Sequence, residues 1–115
     1  MEKEEFPVGE ERFDTILMLA VIEHLKDPRN VLSECSRHME KEGLLVITTP
    51  TPLGCRIHEI ISNIHLTSRE AAEEHCIYYT LSTLEPLLED NGFEVVEYKK
   101  FLFGLNQLFV CRVVR

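Results

Sequence analysis

A carboxylate and an imidazole follow directly on an apolar stretch near the start of the chain. The stretch F-D-T-I-L-M-L-A-V-I (residues 13–22) is apolar throughout after Thr15, and Glu23 and His24 come immediately after it. Such a pair suits acid–base chemistry, because the pKa of an imidazole naturally lies near neutral pH. The alternative is that both side chains satisfy backbone groups where a strand turns into a helix.

Four imidazoles could serve as a general base. An ordinary surface role is the alternative for each of them. They are His24, His58, His65 and His75. His24 and His75 are the strongest candidates, the second because Tyr78 and Tyr79 follow it closely, but the sequence assigns no catalytic residue. No two potential metal ligands repeat at a helical i, i+4 spacing beside a third, so we predict no metal site.

Length and charge limit the class of protein. The 115 residues, 44% of them apolar, suffice for one domain with one core. The net charge is −8, and the first fourteen residues alone hold six acids against Lys3 and Arg12. The only close basic pair is Lys99-Lys100, which is too little positive charge to neutralise a phosphate backbone. We therefore expect no nucleic-acid partner.

The cysteines and the hydropathy indicate the compartment. No C-x-x-C pair occurs among Cys35, Cys55, Cys76 and Cys111, a pattern that fits neither a zinc ribbon nor a dense disulfide framework. We expect four free thiols in a reducing cytoplasm. No stretch reaches the roughly 20 apolar residues of a membrane span, so none is predicted.

Two apolar blocks flank a helical one. Residues 13–22 and 44–49 are typical of parallel strands covered on both faces, with Leu17 and Ile47 buried mid-strand. Between them, Asp27-Pro28 predicts a helix start, and apolar residues at helical spacing continue until Gly43. This is a right-handed βαβ unit. Ligands of open α/β sheets lie beyond the carboxyl ends of the strands, an edge that would hold residues 19–24 and 49–51.

The second half of the chain predicts helices and then a hairpin. Isoleucines at 57, 60, 61 and 64 follow the period of an amphipathic helix, whose apolar face packs in the core or else covers an apolar ligand. Ser82-x-x-Glu85 predicts the start of another helix, which ends at Asn91-Gly92. Residues 93–101 and 105–114 are two strands joined at Gly104, a turn short enough to make them antiparallel.

In this order and spacing the blocks resemble the C-terminal half of a class I S-adenosylmethionine-dependent methyltransferase. The resemblance is to the broad type 11 group that includes ubiquinone-biosynthesis methylases. It rests on F-D-T-I-L-M-L-A-V-I-E-H-L with D-P (13–28), E-G-L-L-V-I-T-T-P (42–50) and Y-T-L-S-T-L-E-P-L-L-E-D-N-G-F-E-V-V-E (79–97). It implies an α/β, Rossmann-like half-sheet with strands 4-5-7-6, the last one antiparallel, and helices on its faces.

We accordingly divide one partial domain, residues 1–115, into four segments. They are an acidic lead-in (1–12), the βαβ unit (13–50), a helical substrate-side segment (51–92) and a C-terminal β-hairpin (93–115). By resemblance, the cofactor-binding candidates are Leu19, Ala20, Val21, Glu23 and His24, although plain core packing is the alternative for Leu19 and Ala20. The substrate-binding candidates are Thr49, Pro50, His58, His75, Tyr78 and Tyr79.

The family's glycine-rich G-x-G-x-G loop and its ribose-binding acid do not occur in this sequence. We therefore expect a methyltransferase of a small-molecule acceptor, represented by its substrate-side half and inactive alone, with S-adenosylmethionine as cofactor. The alternative is a non-catalytic Rossmann-like module for binding or assembly. The strand at 13–22 would expose an apolar edge, so we also expect self-association through that edge or the adjacent uncovered face.

Overall fold

The computed structural model describes residues 9–65 and 78–114, without the side chains of 62–65. Four strands and three helices are described along the chain. In order they are β1 (Phe13–Leu19), a 3₁₀ turn (Ile22–His24), α1 (Pro28–Arg37), β2 (Met39–Pro50), α2 (Pro52–His65), α3 (Leu81–Asp90), β3 (Phe93–Phe101) and β4 (Asn106–Val113).

The strands form one sheet in the order β1-β2-β4-β3. β1 and β2 are parallel, with Met18 opposite Ile47. β4 is antiparallel to both of its neighbours, so β3 runs in the same direction as β1 and β2. This confirms the predicted half-sheet, in which the last strand along the chain is the antiparallel one.

One face of the sheet carries the core. Met18, Ile47 and Phe109 are buried in one row across three strands, and α1 and α3 cover them with Leu32, Cys35, Leu84 and Leu88. Both helices lie on this face because each right-handed crossover moves in the same direction across the sheet. The core is therefore a two-layer structure of helices on a sheet.

The opposite face of β1 is not covered by any described element. Leu17 is 61% exposed and Leu19 is 53% exposed, whereas Met18 between them is buried. The prediction that this strand is covered on both faces is therefore wrong, because α1 and α3 both pack against the Met18 side. For β2 the predicted burial of Ile47 is confirmed, but Ile47 lies on the Met18 face, and Val46 and Thr48 on the opposite face are only half-buried.

The helix boundaries agree in part with the predictions. The Asp27 carboxylate accepts from the Asn30 N–H at 3.2 Å and Pro28 is the first residue of α1, as predicted. α1 ends earlier than Gly43, at Arg37, since the chain already enters β2 at Met39. α3 begins before Ser82, because Thr80 is its N-cap and pairs with Thr83.

The uneven coverage predicts unequal costs for two truncations of strand residues. Ile47→Ala should lower the free energy of unfolding by about 2–5 kcal/mol, because it leaves a cavity in a packed core. Leu17→Ala should change it by no more than about 1 kcal/mol, because that side chain is exposed. Urea unfolding of both variants measures the difference, and an equal loss would mean that another surface covers Leu17 in solution.

Candidate functional site

A cleft of about 400 Å³ opens at the carboxyl edge of the sheet. Its walls come from the 3₁₀ turn after β1, the end of β2, the first turns of α2 and the start of β4. The lining residues are Glu23, His24, Pro50, Gly54, Cys55, Ile57, His58, Ile61, Leu105 and Asn106. The structure thus brings together four residues that the sequence singled out: Glu23, His24, Pro50 and His58.

Glu23 is the buried charged group of this cleft. It is 7% exposed, and its Oε1 accepts a hydrogen bond of 2.8 Å from the Oγ1 of Thr49, which is fully buried at the end of β2. Its Oε2 lies 3.7 Å from Nε2 of His24, whose side chain is 77% exposed. The carboxylate is thus held by a side chain of the neighbouring strand, next to an imidazole that solvent and ligands can reach.

The residues between β1 and the 3₁₀ turn form an apolar ledge at the same edge. β1 ends at Leu19 because Ala20 adopts a left-handed conformation with a φ of 58°. The Ala20 N–H donates to the carbonyl oxygen of Thr48 at 2.8 Å and faces its Oγ1 at 3.2 Å. Leu19 and Val21 are exposed, so the alternative that Leu19 packs in the core is wrong.

The start of α2 is clamped to the turn between β3 and β4. The Thr51 hydroxyl donates to the Gly104 carbonyl oxygen at 2.7 Å and accepts from the Gly54 N–H at 3.0 Å. A Cβ on Gly54 would lie 2.1 Å from the Leu105 carbonyl oxygen, so only glycine permits this approach. These contacts hold the α2 wall of the cleft against the wall that the β3–β4 turn forms.

The isoleucine face of α2 does not lie in the core. Ile57 and Ile61 line the cleft and are partly exposed, and Ile60 is exposed beside them. The core interpretation is therefore wrong for these three residues, because the start of α2 docks on the β3–β4 turn rather than on the sheet face. An apolar cover for a ligand, the second interpretation, stays a proposal.

Tyr79 reaches this edge from the segment before α3. Its backbone carbonyl accepts from Nε2 of Gln107, which also donates to the Pro50 carbonyl oxygen at 3.2 Å. Burial, and to a lesser extent the negative charge of Glu23, raises the pKa of the Tyr79 phenol. Tyr98 donates to Oε1 of the buried Gln107 at 2.7 Å, and burial raises the pKa of its phenol too.

Two predicted residues stand apart from this arrangement. Tyr78 is exposed next to Tyr79. His75 lies outside the described residues, as does the side chain of His65. The structure therefore gives no geometry for the second catalytic candidate.

Sequence reasoning missed the part of the site that comes from the C-terminal hairpin. Leu105, Asn106 and Gln107 of the hairpin were not among the candidates, and neither was Gly54 of α2. The available signal was the topology. A strand that follows a right-handed crossover from β2, here β3, runs parallel to β2 and therefore ends at the same edge. The turn after it must therefore lie at that edge as well.

The three described cysteines divide into two kinds, and Cys76 lies outside the described residues. Cys35 and Cys111 are buried free thiols, and burial raises the pKa of each to about 12, so neither forms a reactive thiolate at neutral pH. Cys55, at the cleft, is disulfide-bonded. The prediction of four free thiols is therefore wrong at this position.

Residues 9–65 and 78–114 contain neither a metal-binding cluster nor a helix that could span a membrane. Within these ranges no group of three or more histidine, cysteine or acidic side chains is arranged to hold a metal ion. Over the same residues, no helix has the length and apolarity required to cross a bilayer.

Comparison with known proteins supplies the family. A family model described as a methyltransferase domain matches residues 1–98. Over 123 aligned residues the chain is 27% identical to the ubiquinone/menaquinone biosynthesis C-methyltransferase UbiE of Campylobacter jejuni, in an alignment that covers 92% of the chain and 52% of that protein. The chain thus spans about half the length of the curated relatives that it matches.

Solved structures share the fold at low sequence identity. A chain from the complex between the Haloferax volcanii Trm112 methyltransferase activator and a putative methyltransferase gives a TM-score of 0.75 at 12% identity, covering 96% of this chain and 58% of that one. A Thermotoga maritima methyltransferase, a possible histamine N-methyltransferase, gives 0.67 at 18% identity, with coverages of 95% and 60%. The match over residues 1–98 and the β1-β2-β4-β3 sheet together show that the chain belongs to the class I methyltransferase family.

Proposed function

We propose that this chain forms the acceptor side of an S-adenosylmethionine-dependent methyltransferase that acts on a small molecule. The observation that carries the proposal is the cleft at the carboxyl edge, where the buried Glu23 carboxylate faces a hollow lined by Ile57, Ile61 and Leu105. Such an edge is where ligands of open α/β sheets bind. An apolar wall with a few convergent polar groups is also the usual make-up of a small-molecule site.

The residues of the cleft fit an acceptor with an apolar body and one donor group. Glu23 accepts a hydrogen bond from the hydroxyl or amine that is to be methylated and so orients it. His24, beside that carboxylate and open to solvent, takes the proton that this group gives up. The isoleucines exclude water from the apolar body. These side chains chiefly position the acceptor, which suits an in-line displacement.

The cofactor would lie next to the ledge of Leu19, Ala20 and Val21. When bound, S-adenosylmethionine supplies a methyl group on a sulfonium sulfur, which keeps the electron pair when the acceptor attacks the methyl carbon. Leu19 and Val21 offer it exposed apolar surface. The glycine-rich loop that would approach its backbone closely is not in this sequence.

We propose the four-segment division of the chain on the same grounds. The acidic lead-in precedes β1, the βαβ unit spans β1 to β2, the helical segment carries α2 and α3, and the hairpin is β3 with β4. A cytoplasmic location also stays a prediction. The free thiols Cys35 and Cys111 agree with it, whereas the disulfide-bonded Cys55 does not favour it.

The first prediction concerns cofactor affinity. Titrated alone in a calorimeter, the 115-residue chain should bind S-adenosylmethionine and its demethylated product weakly or not at all, because most polar contacts to the cofactor are absent. Adding a polypeptide with a G-x-G-x-G strand–loop–helix should restore binding and transfer of a labelled methyl group to an acceptor. Micromolar affinity of the chain alone would contradict the division of the site, and binding without any transfer would favour the non-catalytic module.

The second prediction concerns the charge on Glu23. Glu23→Gln keeps an acceptor for Thr49 but removes the negative charge, so the pKa of Tyr79 should fall while the fold stays stable. Thr49→Val is the matched control: it keeps the charge, leaves Tyr79 unchanged, and lowers stability by about 1–3 kcal/mol because the buried Oε1 loses its donor. Ultraviolet titration of the phenols measures the shift. An unchanged titration curve for Glu23→Gln would show that Tyr79 does not sense the cleft carboxylate.

The third prediction concerns self-association, which we propose to occur through β1. In the described sheet β1 pairs on one side with β2, and it exposes Leu17 and Leu19 on its open face. Sedimentation at micromolar concentration should show a dimer, and Leu17→Lys should dissociate it, because charged side chains block strand edges and apolar contacts. Val114→Lys is the control, because this residue follows β4, which β2 separates from β1. A monomeric wild-type chain would contradict this interface.

A further inference from the structure

The turn between β3 and β4 exposes two large apolar side chains on a strained backbone. Phe103 is 100% exposed and Leu102 is 59% exposed. Their φ angles are 57° and 54°, in the left-handed region, and Gly104 follows at 82°. That conformation favours glycine and asparagine and is unfavourable for other residues. The turn therefore displays apolar groups where polar turn residues would relieve the strain.

This turn adjoins a second exposed apolar surface on α2. The clamp between Thr51 and Gly104 holds the start of α2 against the turn, and α2 exposes Leu53, Ile57, Ile60 and Ile61. Ile57 and Ile61 also line the cleft, together with Leu105 of the turn. We call these exposed side chains the apolar rim: Leu53, Ile57, Ile60, Ile61, Leu102 and Phe103.

The charges beside the turn of the apolar rim are positive, although the chain as a whole carries −8. Lys99 and Lys100 are exposed and directly precede the turn, and no acidic residue occurs after Glu97. On α2, Arg56 and Glu59 are both exposed, so together they add no net charge to this part of the apolar rim. The turn of the apolar rim is thus closely preceded by two cations in an acidic protein.

We propose that the apolar rim docks on an anionic lipid surface. Leu102 and Phe103 enter the boundary between headgroups and acyl chains, while Lys99 and Lys100 contact anionic headgroups. Exposed apolar groups flanked by basic residues are the pattern of interfacial lipid binding. A protein partner is the less favoured occupant, because lysines are depleted in protein–protein interfaces. The proposal goes beyond the proposed function and does not depend on methyl transfer.

Co-sedimentation of the full chain with vesicles tests this docking. The chain should bind mixed phosphatidylcholine and phosphatidylglycerol vesicles, bind pure phosphatidylcholine vesicles more weakly, and lose binding as salt increases. Phe103→Ser should weaken binding to mixed vesicles about tenfold or more, since it removes an aromatic ring that the bilayer would bury. Lys99→Gln and Lys100→Gln should each weaken it about fivefold.

Matched controls lie near the amino ends of the parallel strands, opposite the carboxyl edge. Val114 is as exposed as Leu102 to within a few per cent and Lys41 is exposed, so Val114→Ser and Lys41→Gln should leave binding unchanged. The Phe103 ring is fully exposed, so circular dichroism of Phe103→Ser should match the wild type. In Phe103→Trp, the tryptophan emission should shift to shorter wavelength when mixed vesicles are added.

Three results would overturn the proposal. The first is no binding of the wild-type chain to mixed vesicles. The second is equal binding of Phe103→Ser and the wild type, or an unshifted tryptophan emission on vesicles. The third is a loss of self-association in Phe103→Ser without any vesicle binding by the wild type, which would assign the apolar rim to a second copy of the chain.

Discussion

The site depends on the antiparallel pairing of β4 with the end of β2. Seven residue pairs join the two strands, from Leu44 with Arg112 to Pro50 with Asn106. Because β4 runs antiparallel, it must begin at the edge where β2 ends, and the β3–β4 turn arrives at that edge with it. The Thr51 N–H then donates to the Leu105 carbonyl oxygen at 3.0 Å, and this bond connects the residue after β2 to the residue before β4. Without this pairing the cleft would lose one wall.

Buried polar groups connect the segments that meet at this edge. The Glu23–Thr49 hydrogen bond links the turn after β1 to β2, and Gln107 links β4 to Pro50, to Tyr79 and to Tyr98. A buried carboxylate or amide is tolerated only when its hydrogen bonds are satisfied, and a misplaced partner leaves a costly unpaired group. We infer that these bonds mainly specify one arrangement of the edge, while the apolar core beneath supplies most of the stability.

Helices on one face explain why so much apolar surface stays exposed. α1 and α3 cover the Met18 side of the sheet, whereas the start of α2 packs against the β3–β4 turn at the carboxyl edge. Two surfaces remain, and they differ in character. β1 presents an open edge in the described sheet, which suits pairing with another strand, and an apolar face that such a contact would cover. The turn of the apolar rim exposes Leu102 and Phe103 closely after two lysines, which suits insertion into a lipid interface.

The sequence by itself determined the elements, their order and their common edge. The Asp27-Pro28 cap, the hairpin at Gly104 and the βαβ unit were all predictable, because caps, turns and hydrophobic periods depend on residues close in the chain. The place of Glu23 at the carboxyl edge followed from that order. Only the tertiary structure decided that Leu17 is exposed, that Thr49 holds Glu23, and that Gln107 reaches Tyr79. Those facts depend on which face the helices cover and on strand register, and both are set by contacts between residues far apart in the chain.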